Sequence, residues 1–177
     1  MLAAMAMPMR EPRIVRRTYL EMTSSGELQP ARTSDAEARV ERVFGCPASF
    51  FRFLYAEVGR AYSWVDRASW TDDEIRTHLG DPTVSIWLFS VRAAPAGYFE
   101  LKACADGSVE IAYFGLLGEF IGRGYGKHLL TEAVDRAWGL GAQRVWLHTC
   151  SLDGPAALPN YQARGFRVYR VETYSVP

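Results

Sequence analysis

Between an apolar stretch, Val109 to Leu117, and a strongly amphipathic one, Leu129 to Trp138, the chain carries Gly122-Arg123-Gly124-Tyr125-Gly126. Three alternating glycines leave the backbone open to close approach. The helix expected after them begins with amide N–H groups that have no partner inside the helix. A glycine-rich loop running into a helix N-terminus is an anion site, most often for phosphate. The same segment constrains the fold. A strand, a loop, a helix and then the strand-like Arg144 to Thr149 make a βαβ crossover, whose two strands lie parallel in one sheet.

Upstream of the loop the pattern reads as an antiparallel meander. Val84–Val91, Tyr98–Cys104 and Val109–Leu117 are joined by Ala94-Pro95-Ala96-Gly97 and Ala105-Asp106-Gly107, turns too short to return a parallel strand. Arg16–Met22 and Ala38–Phe44 read as two earlier strands, separated by a loop rich in Ser, Pro and Gly. Cys46-Pro47-Ala48 opens a helix that Gly59 stops, and Thr71 with Glu74 forms a capping box for a shorter helix to Leu79. Near the end, Pro155 starts a last helix, Gly165 caps it, and Phe166–Tyr174 is the final strand. The expected fold class is α/β of the mixed α+β kind. A central, mostly antiparallel sheet carries one parallel crossover and has helices on both faces.

A length of 177 residues with 49% apolar content suits one domain, expected over 16–177 after a flexible start at 1–15. Twenty basic and twenty acidic residues give a net charge of +0, which removes the simplest argument for a nucleic-acid partner. Cys46, Cys104 and Cys150 are odd in number, far apart and without a CxxC, so neither a disulfide framework nor a metal site is expected. A reducing, cytoplasmic location fits them best. The opening Met1–Met9 is apolar but short and has no basic leader, so it is not read as a signal peptide. No stretch is long enough to span a membrane.

Loop spacing separates the nucleotide-binding alternatives. A dinucleotide fold wants GxGxxG and an acidic residue ending the next strand, but the spacing here is GxGxG and that strand ends His148-Thr149-Cys150. A P-loop wants GK followed by Ser or Thr, but Lys127 is followed by His128. The region instead resembles the pyrophosphate loop of the GNAT superfamily of N-acetyltransferases, Q/R-x-x-G-x-G/A. Ile121 through Gly126 supplies both final glycines, with Ile121 where Gln or Arg is usual. Downstream, Tyr161-Gln-Ala-Arg-Gly165-Phe166 matches the family pattern of Tyr, three residues, Gly-Phe. Gly118 stands where a proline is common and Gly154 where an asparagine is frequent. The likeness covers Val84 to the end and the earlier part in outline.

The resemblance implies acetyl-CoA as cosubstrate and a primary amine as acceptor: a small molecule, an amino acid or a protein terminus. It implies that the acetyl group moves by direct attack in a ternary complex. Residues 121 to 127 would hold the pyrophosphate, Lys127 and Arg123 flanking it. The Tyr113–Leu117 stretch would offer backbone groups to the pantetheine arm, and an N–H of Leu116 or Leu117 would face the acyl oxygen. Tyr161 would be the general acid. Glu110, thirteen residues before Arg123, sits at the offset of the base in the histone acetyltransferase branch. Glu100 is its rival on the neighbouring strand.

Tyr62, Trp64 and Trp70, with Asp66, occupy the segment that walls the acceptor site in the superfamily. Aromatic rings with a carboxylate suit a cationic amine. His148 is read as lining the cleft, and nothing marks Cys150 as an activated nucleophile. Relatives usually have two strands after the last helix, where this chain has about one. Arg16–Met22 is therefore expected to supply an edge strand beside Val168–Thr173. A non-catalytic acyl-CoA-binding regulatory module on the same fold is the alternative function. No nucleic-acid or membrane partner is expected, and a homodimer is left open.

Overall fold

The computed structural model describes residues 13–60, 62 and 64–176. The chain runs β1 (Arg13–Met22), β2 (Ala38–Val43), α1 (Ala48–Gly59), α2 (Asp72–Leu79), β3 (Val84–Val91), β4 (Ala94–Ala103), β5 (Ser108–Leu116), α3 (Tyr125–Gly139), β6 (Arg144–Cys150), α4 (Ala157–Ala163) and β7 (Arg167–Val176). One seven-stranded sheet takes the order β2-β3-β4-β5-β6-β1-β7. Every adjacent pair is antiparallel except β5 and β6, the pair joined by the α3 crossover. Of the flexible start expected at 1–15, residues 1–12 lie outside the described residues. Arg13–Val15 already belong to β1, and Val15 is buried.

Alternation along the strands separates two cores. On β4, Tyr98 packs with Phe51, Leu54 and Val58 of α1 and Ile75 of α2. Its neighbour Phe99 packs with Leu129, Leu130, Ala133 and Val134 of α3 on the opposite face. These side chains are almost wholly removed from water, and each of the larger aliphatic and phenylalanine side chains contributes about 1.5–3 kcal/mol. The capping box of α2 forms as its sequence suggests: Thr71 accepts from the Glu74 amide and Glu74 accepts from the Thr71 amide. No helix among the described residues is long and apolar enough to cross a membrane.

Two sequence expectations need correcting. The β3–β4 turn is Arg92-Ala93, not Ala94–Gly97. Both turn residues are left-handed (φ 52° and 64°), the geometry that matches the twist of a two-residue hairpin. Pro95 lies inside β4, opposite Ser90 where the register shifts, so its missing N–H falls at a bulge. The second correction concerns β1. Tyr19 and Leu20 do pair with β7, opposite Arg170 and Val168, but β1 also pairs with β6 along Arg17–Met22. The edge strand is β7. With Val15, Leu20 and Met22 buried, β1 has an apolar face that an interior position covers and an edge would leave partly wet.

One irregularity positions the site. The parallel pairing of β5 and β6 lasts only from Ser108↔Arg144 to Glu110↔Trp146. Just beyond, the register of β5 on β4 jumps from Leu101↔Ile111 to Glu100↔Tyr113, leaving Ala112 as an extra residue. Such a bulge bends its strand and raises its twist. After it β5 stays with β4 and β6 stays with β1, so a gap opens in the middle of the sheet.

Candidate active site

That gap is a cavity of about 1020 Å³, lined from both faces of the sheet. On the α3–α4 side its wall is mostly backbone. Gly122 and Gly124 both adopt left-handed φ (81° and 80°), where a side chain would be strained. Gly124 is the N-cap of α3 and supplies no capping side chain, and the first turn has no acidic residue. The leading amides of α3 are therefore free to meet an anion. Ile121, Gly122, Gly124, Gly126 and Lys127 line the cavity. Asn160 on α4 donates to the Gly126 carbonyl at 3.2 Å and fixes the two helices together.

Of the expected cofactor contacts, two side chains and one amide point elsewhere. The Arg123 guanidinium lies over the Phe120 ring at 5.4 Å, outside the lining. Tyr125 is buried, and its hydroxyl donates to Asp35 at 2.5 Å. The Leu117 amide is spent on the Ala96 carbonyl at 2.9 Å. Successive amides of a strand face opposite edges, which turns the Leu116 N–H away from β4 and toward the gap. Leu116 lines the cavity and Leu117 does not.

Tyr161 on α4 also lines the cavity, wedged edge-on against Phe114 and Phe166 with ring centroids 6.1 and 6.3 Å away. Burial pushes its phenol well above the usual tyrosine range, helped by the nearby charge of Asp153, so the hydroxyl stays protonated at neutral pH. Across the gap stands Glu110, half-buried and opposite Lys102 of β4. Burial pushes its carboxyl up. Lys102 and Arg67 pull the other way, and Glu100 adds to the rise.

The second wall, on the α1–α2 side, is made of side chains. Its centre is Arg67, a residue the sequence did not single out. Arg67 binds both oxygens of Glu100, at 2.6 and 2.9 Å, and His78 lies 3.1 Å from the same carboxylate. Glu100 is fully buried and does not line the cavity, so it cannot serve as the rival base or as an acceptor contact. Burial works to raise its carboxyl, but the bonds to His78 and Arg67 outweigh that and hold it below the ordinary range.

The aromatic cage expected for an incoming cation is thus filled by the protein's own. The Arg67 guanidinium lies 4.2 Å from the Tyr113 ring centre and 4.9 Å from that of Trp70. Trp64 packs edge-on to Tyr113 and Tyr98 and tilted against Tyr55, at 4.9 to 6.3 Å, mainly as part of the core. Trp64 and Trp70 still show surface to the cavity, as do Tyr62 and Asp66. Tyr62 meets Gly154 so closely that a methyl group there would sit 3.1 Å from its ring, which brings the 62–70 loop against the β6–α4 loop.

His148 opens onto the cavity with its ring edge-on to Tyr19 at 5.7 Å. The surrounding protein and the charge of Arg17 lower its pKa, so the imidazole is neutral at pH 7. Burial raises the Cys150 thiol and keeps it protonated, as expected of a cysteine without an activating base. Arg67 had one signal in the sequence. A glutamate in an apolar interior strand requires a cation, and an arginine among tryptophans was available to supply it.

A model of the acetyltransferase (GNAT) family matches residues 51–166. No curated protein matches the sequence. Among solved structures, a GCN5-related N-acetyltransferase from Kribbella flavida superposes with a TM-score of 0.67 at 21% identity, over 92% of this chain and 58% of that one. Another, from Sphaerobacter thermophilus, gives 0.71 at 15% identity, over 93% and 53%. The chain thus spans little more than half the length of these two structures. An aminoglycoside acetyltransferase from an uncultured soil metagenomic sample, in complex with trehalose, gives 0.61 at 15% identity, over 75% and 90%. At such identities the structural likeness speaks for the fold, while the family match covers the gap, the glycine loop and the Tyr161 motif together. The chain belongs to the GNAT family of acetyltransferases.

Proposed function

We propose that this chain transfers an acetyl group from acetyl-CoA to a primary amine, both bound before the transfer. The observation that carries the reading is the common outlook of Glu110 and Tyr161 on one gap, with the glycine cradle at its mouth. The residues present fit acetyl-CoA. An uncapped helix N-terminus with Lys127 in its first turn suits a pyrophosphate, and the unpaired edge of β5 beyond the bulge suits an amide-bearing arm. Acetyl-CoA supplies an activated thioester.

The remaining work falls to this chain. Glu110, directly or through a water, takes the proton that an ammonium must lose before it can attack. The Leu116 amide stabilises the developing oxyanion. Tyr161 returns a proton to the departing thiolate. Positioned proton transfer of this kind contributes about 10²–10⁴-fold.

The alternative, a non-catalytic acyl-CoA-binding module, draws support from the raised Tyr161 phenol, which gives up its proton reluctantly. One experiment separates the two. A panel of amines with acetyl-CoA is read as free-thiol release, with wild type beside Tyr161→Phe. Turnover that falls about 10²-fold in the variant, with CoA affinity retained, fits the enzyme. Tight CoA binding with no thiol release from any amine fits the module.

A further inference from the structure

The cavity holds a second arginine, and its state is the opposite of Arg67's. Arg17 lies on β1, opposite Cys150 of β6 and Glu172 of β7, and its side chain lines the far end of the gap. Its guanidinium stacks on the Tyr174 ring at 4.9 Å and donates to the Tyr174 hydroxyl at 3.2 Å. Its Nε is removed from water and has no hydrogen-bond partner. The carboxylates within reach are already engaged. Glu172 accepts from the Tyr19 hydroxyl and pairs with Arg170. Asp153 accepts from the Thr149 hydroxyl and the Cys150 amide. The neighbouring His148 is neutral.

A buried donor without a partner costs free energy that a native structure normally avoids. An arginine in a cavity whose partner is a neutral hydroxyl carries an uncompensated charge, which a carboxylate or a phosphate would satisfy. Arg17 and Tyr174 both fall outside residues 51–166, the part of the chain that the family model matches.

We propose that the acceptor is an amine that also carries an anionic group, carboxylate or phosphate, and that Arg17 grips that group. This rests on the acetyl-acceptor reading of the same cavity. The strands set the acceptor's length. Glu110 pairs with Trp146, whereas Arg17 pairs with Cys150, four residues further along β6, roughly 13 Å at the rise of a strand. An α-amino acid, with both charges on one carbon, spans that backbone offset less well than an acceptor whose charges lie several carbons apart. An ω-amino acid, an aminoalkyl phosphate or the lysine of an acidic peptide is long enough.

The test compares kcat/KM for ω-aminohexanoate, aminohexyl phosphate, hexylamine and glycine on wild type, Arg17→Gln and Arg17→Lys. The wild type should prefer one of the two anionic hexyl substrates over hexylamine by about tenfold to a hundredfold, the scale of one charge-assisted contact. Arg17→Gln should bring that ratio close to one, and Arg17→Lys should keep part of it. Both substrates are assayed on the same protein, so a partly folded variant does not move the ratio. Independently of turnover, N-acetylaminohexanoate is titrated by calorimetry against wild type and Arg17→Gln, and at least tenfold weaker binding is expected in the variant. Turnover of hexylamine as good as that of both anionic substrates overturns the inference and leaves the acetyltransferase reading standing. Arg17-dependent binding without turnover of any amine supports the anion site and rejects the catalytic reading.

Discussion

The two walls of the cavity are built from different material. The α3–α4 wall relies on backbone for its cradle, with left-handed Gly122 and Gly124, the uncapped start of α3 and the edge that β5 exposes past its bulge, and adds the side chains of Lys127, Asn160 and Tyr161. The wall formed by the 62–70 loop is side chains held by one another, with Arg67 locked between Glu100 and three aromatic rings. A backbone wall tolerates side-chain variation and recognises what all its ligands share. A side-chain wall depends on each partner and sets what is particular to one chain. On the proposed function, this division puts a common cosubstrate on one side and an individual acceptor on the other.

Glu110, on the side-chain wall, should show the largest effect. Glu110→Gln is expected to lower kcat/KM by about 10²–10⁴-fold. Wild-type activity should rise with pH as Glu110 loses its proton. The inflection should lie above the ordinary carboxylate range, because burial raises this group. The variant should lack that limb. Stability should move in the other direction. A raised folded pKa contributes stability below the unfolded pKa, and that contribution is lost as pH rises through the folded value. At neutral pH the Gln variant should therefore melt no lower than wild type. A loss of activity below tenfold, or an unchanged pH limb, would remove Glu110 from the base role.

Next comes the ion pair that braces this wall. Arg67→Met leaves Glu100 buried without its main partner, a change worth about 3–5 kcal/mol. Glu100 has a lowered pKa, so its stabilisation is present above the unfolded value and is lost as pH falls through the folded one. Thermal melts from neutral pH downward should show wild type losing stability in acid and Arg67→Met starting low. The Arg67→Met, Glu100→Gln double variant should recover much of the loss, since it removes the stranded charge. A single variant that melts with wild type would mean that the aromatic rings, and not the charge pair, hold the loop.

The difference between the walls also decided how much could be read in advance. Glycine spacing, the Tyr161 motif and the apolar period of α3 are local, and each led to its element. The β5–β6 crossover followed from chain order. The place of β1 was less legible, because Arg16–Met22 looks the same whether it has one neighbour or two. Only the burial of Val15, Leu20 and Met22 distinguishes the cases. Glu100 was misjudged for a related reason. As a residue type it is an acid or a base, and its role is settled by a cation thirty-three positions earlier in the chain. Tyr62, Trp64 and Trp70 suggested a cage without showing that Arg67 would fill it. Contacts between distant side chains leave no periodic trace.

The smallest expected effect tests the backbone wall at its weakest point. Ile121 is 47% exposed at the head of the loop, where relatives place Gln or Arg. If free amides do most of the phosphate binding, a restored cation adds only a solvent-exposed charge contact. Such a contact is worth about 0.2–1 kcal/mol, or roughly 1.4- to fivefold in affinity. Ile121→Arg should therefore tighten CoA binding slightly at low salt. The gain should fade as ionic strength rises and the screening length falls to about 10 Å at 0.1 M. Calorimetry of CoA at two salt concentrations reads this directly. A gain of a hundredfold, or one that persists in high salt, would mean that the glycine cradle alone is a poor phosphate site. The cosubstrate wall of this chain would then depend on side chains as much as its acceptor wall does.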